Sequence, residues 1–385
     1  MSFLSREIET TFEHIKYRTM AITVETIIPE YVWSSMIPET ITVATDESSL
    51  KIELSVSNRI VYTTTLSAYE GKVTLYSVAD IIEHLFPSED KIMLSCDICF
   101  LSLTSSERVA ISFKAFYSYR RVNIPVLDFA NKNFTTLSPY TKTSDCLHIF
   151  TALVIANSLE GITFNAKILY MQPDGNIGIY NKSLSFVNYS SIIVSQLNYA
   201  LLGVSLSKSV LSEYLSAVSL PHTDILACTL SCSTGATHMI YFTQERESLV
   251  LTFRNNFNFW ETISLPGVIV AKTKKEASLG NLGREVVQYD CTTKTEYEFI
   301  SPILPTEYAL YLSELLSSRD IRIGSSSSPE TLQRIILTDN TSEISTDDTK
   351  EVSIKFTYRY THNRGMLEIP SSSDVFSEPF SQEFN

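Results

Sequence analysis

Two cysteines separated by two residues, Cys96-Asp97-Ile98-Cys99, have the spacing with which thiolates grip zinc. They fall in the run Lys91 to Leu103, which reads as a strand, and positions three apart on a strand point to opposite faces. Both thiols cannot then reach one ion, and burial as small apolar side chains is expected. Asp145, Cys146 and His148 carry the residue types of a thiol nucleophile with its base, and Cys146 and His148 would share one face of a strand. The same residues also fit a Cys and a His beside the apolar run Ile149 to Ala156. Gly203-Val204-Ser205-Leu206-Ser207 approaches a nucleophile elbow but lacks its second Gly.

Carboxylates gather in Asp339, Glu343, Asp347 and Asp348, between a strand over Arg334 to Leu337 and another beginning at Val352. Calcium would want such a cluster, but the ordered Asp-x-Asp-x-Asp-Gly loop is missing, and a solvated acidic hairpin loop is the expectation. Lys272-Thr273-Lys274-Lys275 is the one basic run, short enough for an exposed strand end or a contact to an acidic partner. Arg254-Asn255-Asn256-Phe257-Asn258-Phe259-Trp260 is the densest aromatic and amide cluster. It suits either a contact surface for protein or glycan, or a strand-to-loop corner whose rings close a sandwich. No catalytic, cofactor or metal residue is assigned on this reading; Trp260, Phe259 and Arg254 are the candidate interaction residues in this stretch.

The elements that would position these groups are written in a β-forming vocabulary. The 385 residues include 52 Ser, 38 Thr, 20 Tyr and 20 Phe, with only 11 Gly, too few to favour glycine-built phosphate cradles. A net charge of −13 argues against binding of nucleic acid, which needs a basic face. No stretch approaches the roughly 18 consecutive apolar residues of a spanning helix. The start, Met1 to Glu9, has no apolar core of a signal peptide, so a chain made in a cytoplasm with reduced thiols is expected.

Alternation at period two is clean over Ile52 to Val56, Val109 to Tyr119 and Val352 to Tyr360, the pattern of strands with one wet face in antiparallel sheets. Glu70-Gly71 and Asp174-Gly175 mark hairpins between apolar runs. Helices are expected only over 78–85, 209–217 and 305–318, the last with Tyr308, Tyr311, Leu312, Leu315 and Leu316 on one stripe. The fold class is therefore mainly β: two to three antiparallel β-sandwich-like domains with few short helices and an extended C-terminal arm. Boundaries near 125 and 247 give an N-terminal β domain (1–125), a middle β domain (126–247), a C-terminal β domain (248–369) and an arm (370–385). The arm carries Phe376, Phe380 and Phe384 as candidate anchors, with Pro379 interrupting any helix.

Arg254 to Ile263, Tyr308 to Ile323, Ile335 to Ser345 and Ile354 to Tyr360 together resemble, in order, tail-associated or baseplate-associated structural proteins of phages and prophages of Bacteroidota. Roughly 110 residues, all in the C-terminal third, carry the resemblance; the chain departs from it at Phe259, near which the family more often has Gly. The resemblance implies a non-enzymatic virion part without cofactors. Such a part would join a homo-oligomeric ring and other tail proteins, and would act in the virion tail after synthesis in a host cytoplasm. A receptor-binding or fibre-adaptor protein, a surface adhesin and a glycan-cleaving enzyme stay open beside it. The enzyme would need two carboxylates about 5 to 9 Å apart across a cleft.

Overall fold

A computed structural model describes residues 22–361, apart from 90–91, 137, 139, 195–196, 245–247, 283–284, 303, 306–307 and 345–350. The chain is mainly β and divides into two compact units, 1–128 and 129–385.

The first unit runs β1 (Thr23–Val24), β2 (Tyr31–Trp33), β3 (Thr40–Ala44), β4 (Ser49–Val56), β5 (Arg59–Ser67), β6 (Lys72–Tyr76), α1 (Val78–Glu89), β7 (Met93–Ser102) and β8 (Arg108–Phe116). Three strands, β1-β3-β6, form one sheet and five, β2-β8-β7-β4-β5, the other. All pairs are antiparallel except β2 with β8. β4 shows why: Leu50, Ile52, Leu54 and Val56 alternate with half-exposed residues and enter the core, where they meet Ile41, Val43, Val73 and Leu75 of the facing sheet. α1 adds Val78, Ile82 and Phe86, a stripe at intervals of four. The alternation expected through Tyr119 stops as a strand at Phe116.

The Glu70-Gly71 hairpin is corrected. The turn forms, with both residues at positive φ and Tyr69 bridged to Lys72, but its flanking strands do not pair with each other. β5 pairs with β4 and β6 with β3, so the chain crosses between sheets here. A local turn signal sets the reversal; burial of Val73 and Leu75 against the opposite sheet sets the partner.

A four-residue helix, α2 (Val126–Phe129), precedes the second unit. There β9 (Thr141–Thr143), β10 (His148–Ala156), β11 (Phe164–Met171), β12 (Ile177–Leu184), β13 (Val187–Val194), β14 (Leu197–Leu206), α3 (Lys208–Ala217), β15 (Asp224–Cys232) and β16 (Thr237–Phe242) come first. They make sheets β10-β14-β13 and β12-β11-β15-β16-β9 around one hydrophobic core. The Asp174-Gly175 turn joins β11 and β12 as a paired hairpin, Met171 opposite Ile177. Next come β17 (Leu249–Arg254), β18 (Trp260–Leu265), β19 (Val268–Leu282), β20 (Glu285–Ile300), β21 (Leu304–Pro305), α4 (Ala309–Ser317), β22 (Ile321–Ile323), β23 (Gln333–Ile344) and β24 (Glu351–Tyr360). They form one eight-stranded sheet, β18-β17-β22-β23-β24-β20-β19 with β21 on β24. α4 covers it through Tyr311, Leu312 and Leu315.

Two expectations change here. The helix begins at Ala309 and not near Pro305, because Pro305 lies extended in β21 opposite Glu351. β23 is longer than Arg334 to Leu337, so Asp339 and Glu343 are strand residues opposite Thr357 and Ser353. Asp347 and Asp348 lie outside the described residues. Among the described residues no helix is long and apolar enough to cross a membrane.

Candidate functional site

The residues singled out by sequence meet, in part, along one polar seam of the second unit, where the β10/β14 sheet meets β18. The stretch Arg254 to Trp260 is the turn joining β17 to β18. Asn255 builds it: its side-chain oxygen accepts from the backbone N–H of Phe257 (3.1 Å) and Phe259 (3.0 Å), and its own N–H donates to the Phe259 carbonyl (2.8 Å). Asn258 takes the left-handed conformation that closes the turn, φ 63°. The Asn255 amide then reaches across the seam, donating to the Thr135 carbonyl at 3.0 Å and to Glu261 at 3.1 Å.

Glu261 is the centre of the seam. Its carboxyl accepts from Asn255, from the Thr136 hydroxyl and from Tyr311. Burial nevertheless dominates and pushes the carboxyl up to about 7, with those three hydrogen bonds pulling the other way. The Tyr311 hydroxyl is driven well above its ordinary value, first by burial and then by the adjacent Glu261. Glu261 thus holds a proton near neutrality inside a packed boundary.

His148 extends the seam. One ring nitrogen, Nδ1, lies 2.9 Å from the Thr262 carbonyl, which can only accept, so Nδ1 carries the proton. Nε2 lies 3.2 Å from the Ser264 hydroxyl. Phe150 stacks on this ring and lies 5.3 Å from His238, whose Nε2 meets the Thr141 hydroxyl at 2.9 Å. Burial, helped by His148, lowers His238 to about 4.

The thiol, base and acid read as a nucleophilic group each have bonds to other residues. His148 points to Thr262 and Ser264. Asp145 accepts from the backbone N–H (2.6 Å) and hydroxyl (3.0 Å) of Ser209 in the first turn of α3, a favourable place for a carboxylate. The backbone N–H of Cys146 donates to the Thr143 hydroxyl. Gly203 and Ser205 lie within β14 and not on an elbow; a Cβ on Gly203 would come within 2.7 Å of the Tyr189 ring, which explains the glycine. Cys96 belongs to the core of the first unit, whereas Cys99 is outside that core cluster and accepts from Arg108 at 2.9 Å. Burial pushes the Cys96 and Cys228 thiols to about 12, far from the thiolate form.

Of the candidate interaction residues, Trp260 and Phe259 are buried and Arg254 is half-buried. Trp260 keeps 8% of its surface exposed. The Arg254 guanidinium lies 4.1 Å from its ring centre and that of Arg322 5.0 Å. The indole N–H donates to Glu330 at 2.7 Å. The cluster ties the β22–β23 connection to the β17–β18 turn. Phe376, Phe380 and Phe384 lie outside the described residues.

Sequence reasoning missed two carboxylates. Glu261 sits in an apolar-looking stretch whose only marker was the amide cluster before it. Glu298 flanks an open cavity of about 410 Å³ lined also by Asp339, Lys355 and Ser301. It bridges Lys272 (2.7 Å) and Lys355 (2.8 Å), whose hydrogen bonds, Lys272 first, hold it below the usual carboxylate range. Among the described residues no three His, Cys, Asp or Glu side chains come together to hold a metal ion. No protein-family model matches the chain, and a search of curated proteins finds no match either.

Proposed function

We propose that this chain is a non-enzymatic structural protein that assembles through its β domains, as a ring component of a phage tail or baseplate. The observation that carries the reading is that the end strands of four sheets carry exposed apolar side chains. Ile60 and Tyr62 are on β5, Ile177 and Ile179 on β12, Val187, Tyr189 and Ile193 on β13, and Val268, Ile269, Val270 and Leu279 on β19. Each of these strands ends the order of its sheet. Monomeric proteins blunt such edges, whereas assembling ones cover them with another chain. The virion assignment rests on the likeness of the C-terminal third to tail and baseplate proteins. The groups best suited to chemistry, Glu261, His148 and His238, are engaged in holding the seam.

Light scattering on the full chain and on a chain ending before Pro370 tests this. A discrete hexamer or larger ring that weakens on truncation is the expected result. A full chain that stays monomeric would remove the homo-oligomeric ring and favour the receptor-binding alternative.

A further inference from the structure

Strand β5 ends the five-stranded sheet of the first unit, and the fold uses one side of it. Tyr62, Thr64 and Leu66 stand opposite Leu54, Ile52 and Leu50 of β4. The Ala68 N–H continues that ladder, donating to the Ser48 carbonyl at 2.8 Å. Backbone N–H and C=O groups alternate sides along a strand, so residues 62, 64, 66 and 68 turn theirs to β4, and Thr63, Thr65 and Ser67 turn theirs to the open edge. Among the described residues no strand pairs with that edge. Where the sheet stops, Tyr62 is exposed and Leu66 half-buried against the core.

The edge's own sequence indicates what fits it. Ile60 to Ser67 holds no charged residue and no Pro, the residues that keep edge strands apart, and the register shift at Val61 lies outside Tyr62 to Ser67. β6, β12 and β19 also end their sheets but carry Lys72, Lys182 and Lys272. β19 and β20 even run on past their sheet, because β20 meets β24 only over Tyr297 to Ile300, yet two further lysines, Lys274 and Lys275, stand on that edge. Set antiparallel to itself about Thr64, β5 places Thr63 of one copy opposite Thr65 of the other, and Tyr62 opposite Leu66. The open backbone groups of Thr63 and Thr65 then satisfy each other, and Tyr62 is covered by a leucine. Such Thr–Thr and aromatic–aliphatic pairs are favourable across strands, and no like charges meet.

We propose that β5 pairs antiparallel with β5 of a second copy of this chain, centred on Thr64, and so joins two five-stranded sheets into one. The contact is isologous and adds a two-fold axis to whatever ring the other edges close. It rests on the assembly reading above and names one edge responsible.

Sedimentation velocity across a concentration series, on the full chain and three variants, tests the contact. The first combines Thr63→Lys with Thr65→Lys, which sets lysines opposite each other across the two-fold. The second combines Thr63→Lys with Thr65→Glu, which sets each lysine opposite a glutamate of the other copy and also suits Glu53 and Lys51 beside them on β4. The third, Thr65→Pro, removes an N–H that the ladder with β4 does not use. Far-ultraviolet circular dichroism and Trp33 fluorescence verify that each variant is folded. The expected result is a full-chain assembly of even copy number that the Lys-Glu variant retains. The Lys-Lys and Pro variants should halve its mass, with the dissociation constant of the contact raised at least about tenfold. An assembly unchanged by the Lys-Lys and Pro variants would overturn the β5 contact while leaving assembly itself in place. Equal weakening by the Lys-Glu and Lys-Lys variants would overturn the pairing of β5 with itself. A full chain monomeric at every concentration would overturn the assembly reading, and this contact with it.

Discussion

Each unit buries a carboxylate that ties a loop down, and the two behave in opposite ways. Glu47 in the first unit accepts from the Ser102 hydroxyl, the Leu103 backbone N–H at 3.1 Å and the Thr104 hydroxyl at 2.9 Å, securing the β7–β8 connection. Glu261 in the second unit also accepts three hydrogen bonds. Their residual exposures are close, 7% and 5%. Yet the hydrogen bond from Ser102 leads in holding Glu47 below the ordinary range, whereas desolvation leads in raising Glu261. The difference is depth. Glu47 lies one layer beneath an exposed loop, so water still solvates its charge; Glu261 has protein on every side, between two cores of one unit.

The comparison is open to test because Trp33 reports on the first unit and Trp260 on the second. The largest effect should come from Asn255→Ala, which leaves the Phe257 and Phe259 N–H groups and the Glu261 carboxyl short of partners. A loss of about 3 kcal/mol is expected, read as a lower denaturation midpoint of Trp260 fluorescence in a Trp33→Phe background. An unchanged midpoint would mean the seam is not held as described.

The pH dependence of that same transition comes next. Glu261 has its folded value raised from 4.5 to about 7, so its contribution is full below about pH 4.5 and is lost as pH climbs towards 7, on the order of 3 kcal/mol. His238 works in the opposite sense. Its folded value is depressed from 6.5 to about 4, so its contribution is present above 6.5 and is lost as pH falls towards 4. Glu261→Gln should therefore flatten the alkaline side of the stability profile and leave the acid side; a profile unchanged on both sides would show that Glu261 is not the titrating group.

The smallest effect belongs to Glu47→Gln. With its folded value depressed, Glu47 contributes above about 4.5 and loses that contribution only as pH falls through the lower folded value. The Trp33 transition of the Gln variant, in a Trp260→Phe background, should differ modestly from that of Glu47 at neutral pH and converge with it in acid. Divergence that grows on acidification would refute the assignment.

Much of the architecture was legible because it is written in period two. β4, β8 and β24 carry the inward rows Leu50-Ile52-Leu54, Phe113-Ala115 and Ile354-Phe356-Tyr358, and alternation of that kind admits a half-buried strand and little else. The α4 stripe was equally plain, though its start was misplaced because Pro305 reads as a helix opener out of context. The candidate site was far less legible. Glu261 lies 125 residues from Thr136, and nothing near either residue announces the other.

Residue types and local spacing thus determined the β character, the turn at Asp174-Gly175, the opposed faces of Cys96 and Cys99, and the acidic balance of the chain. Only the tertiary structure decided which strands pair across Glu70-Gly71, that two guanidinium groups lie against Trp260, that Glu261 and His148 share one buried seam, and that β19 and β20 run on past their sheet. The physical reason is range. Propensity and alternation act between residues a few positions apart, whereas partner choice and desolvation are set by whatever the rest of the chain brings alongside.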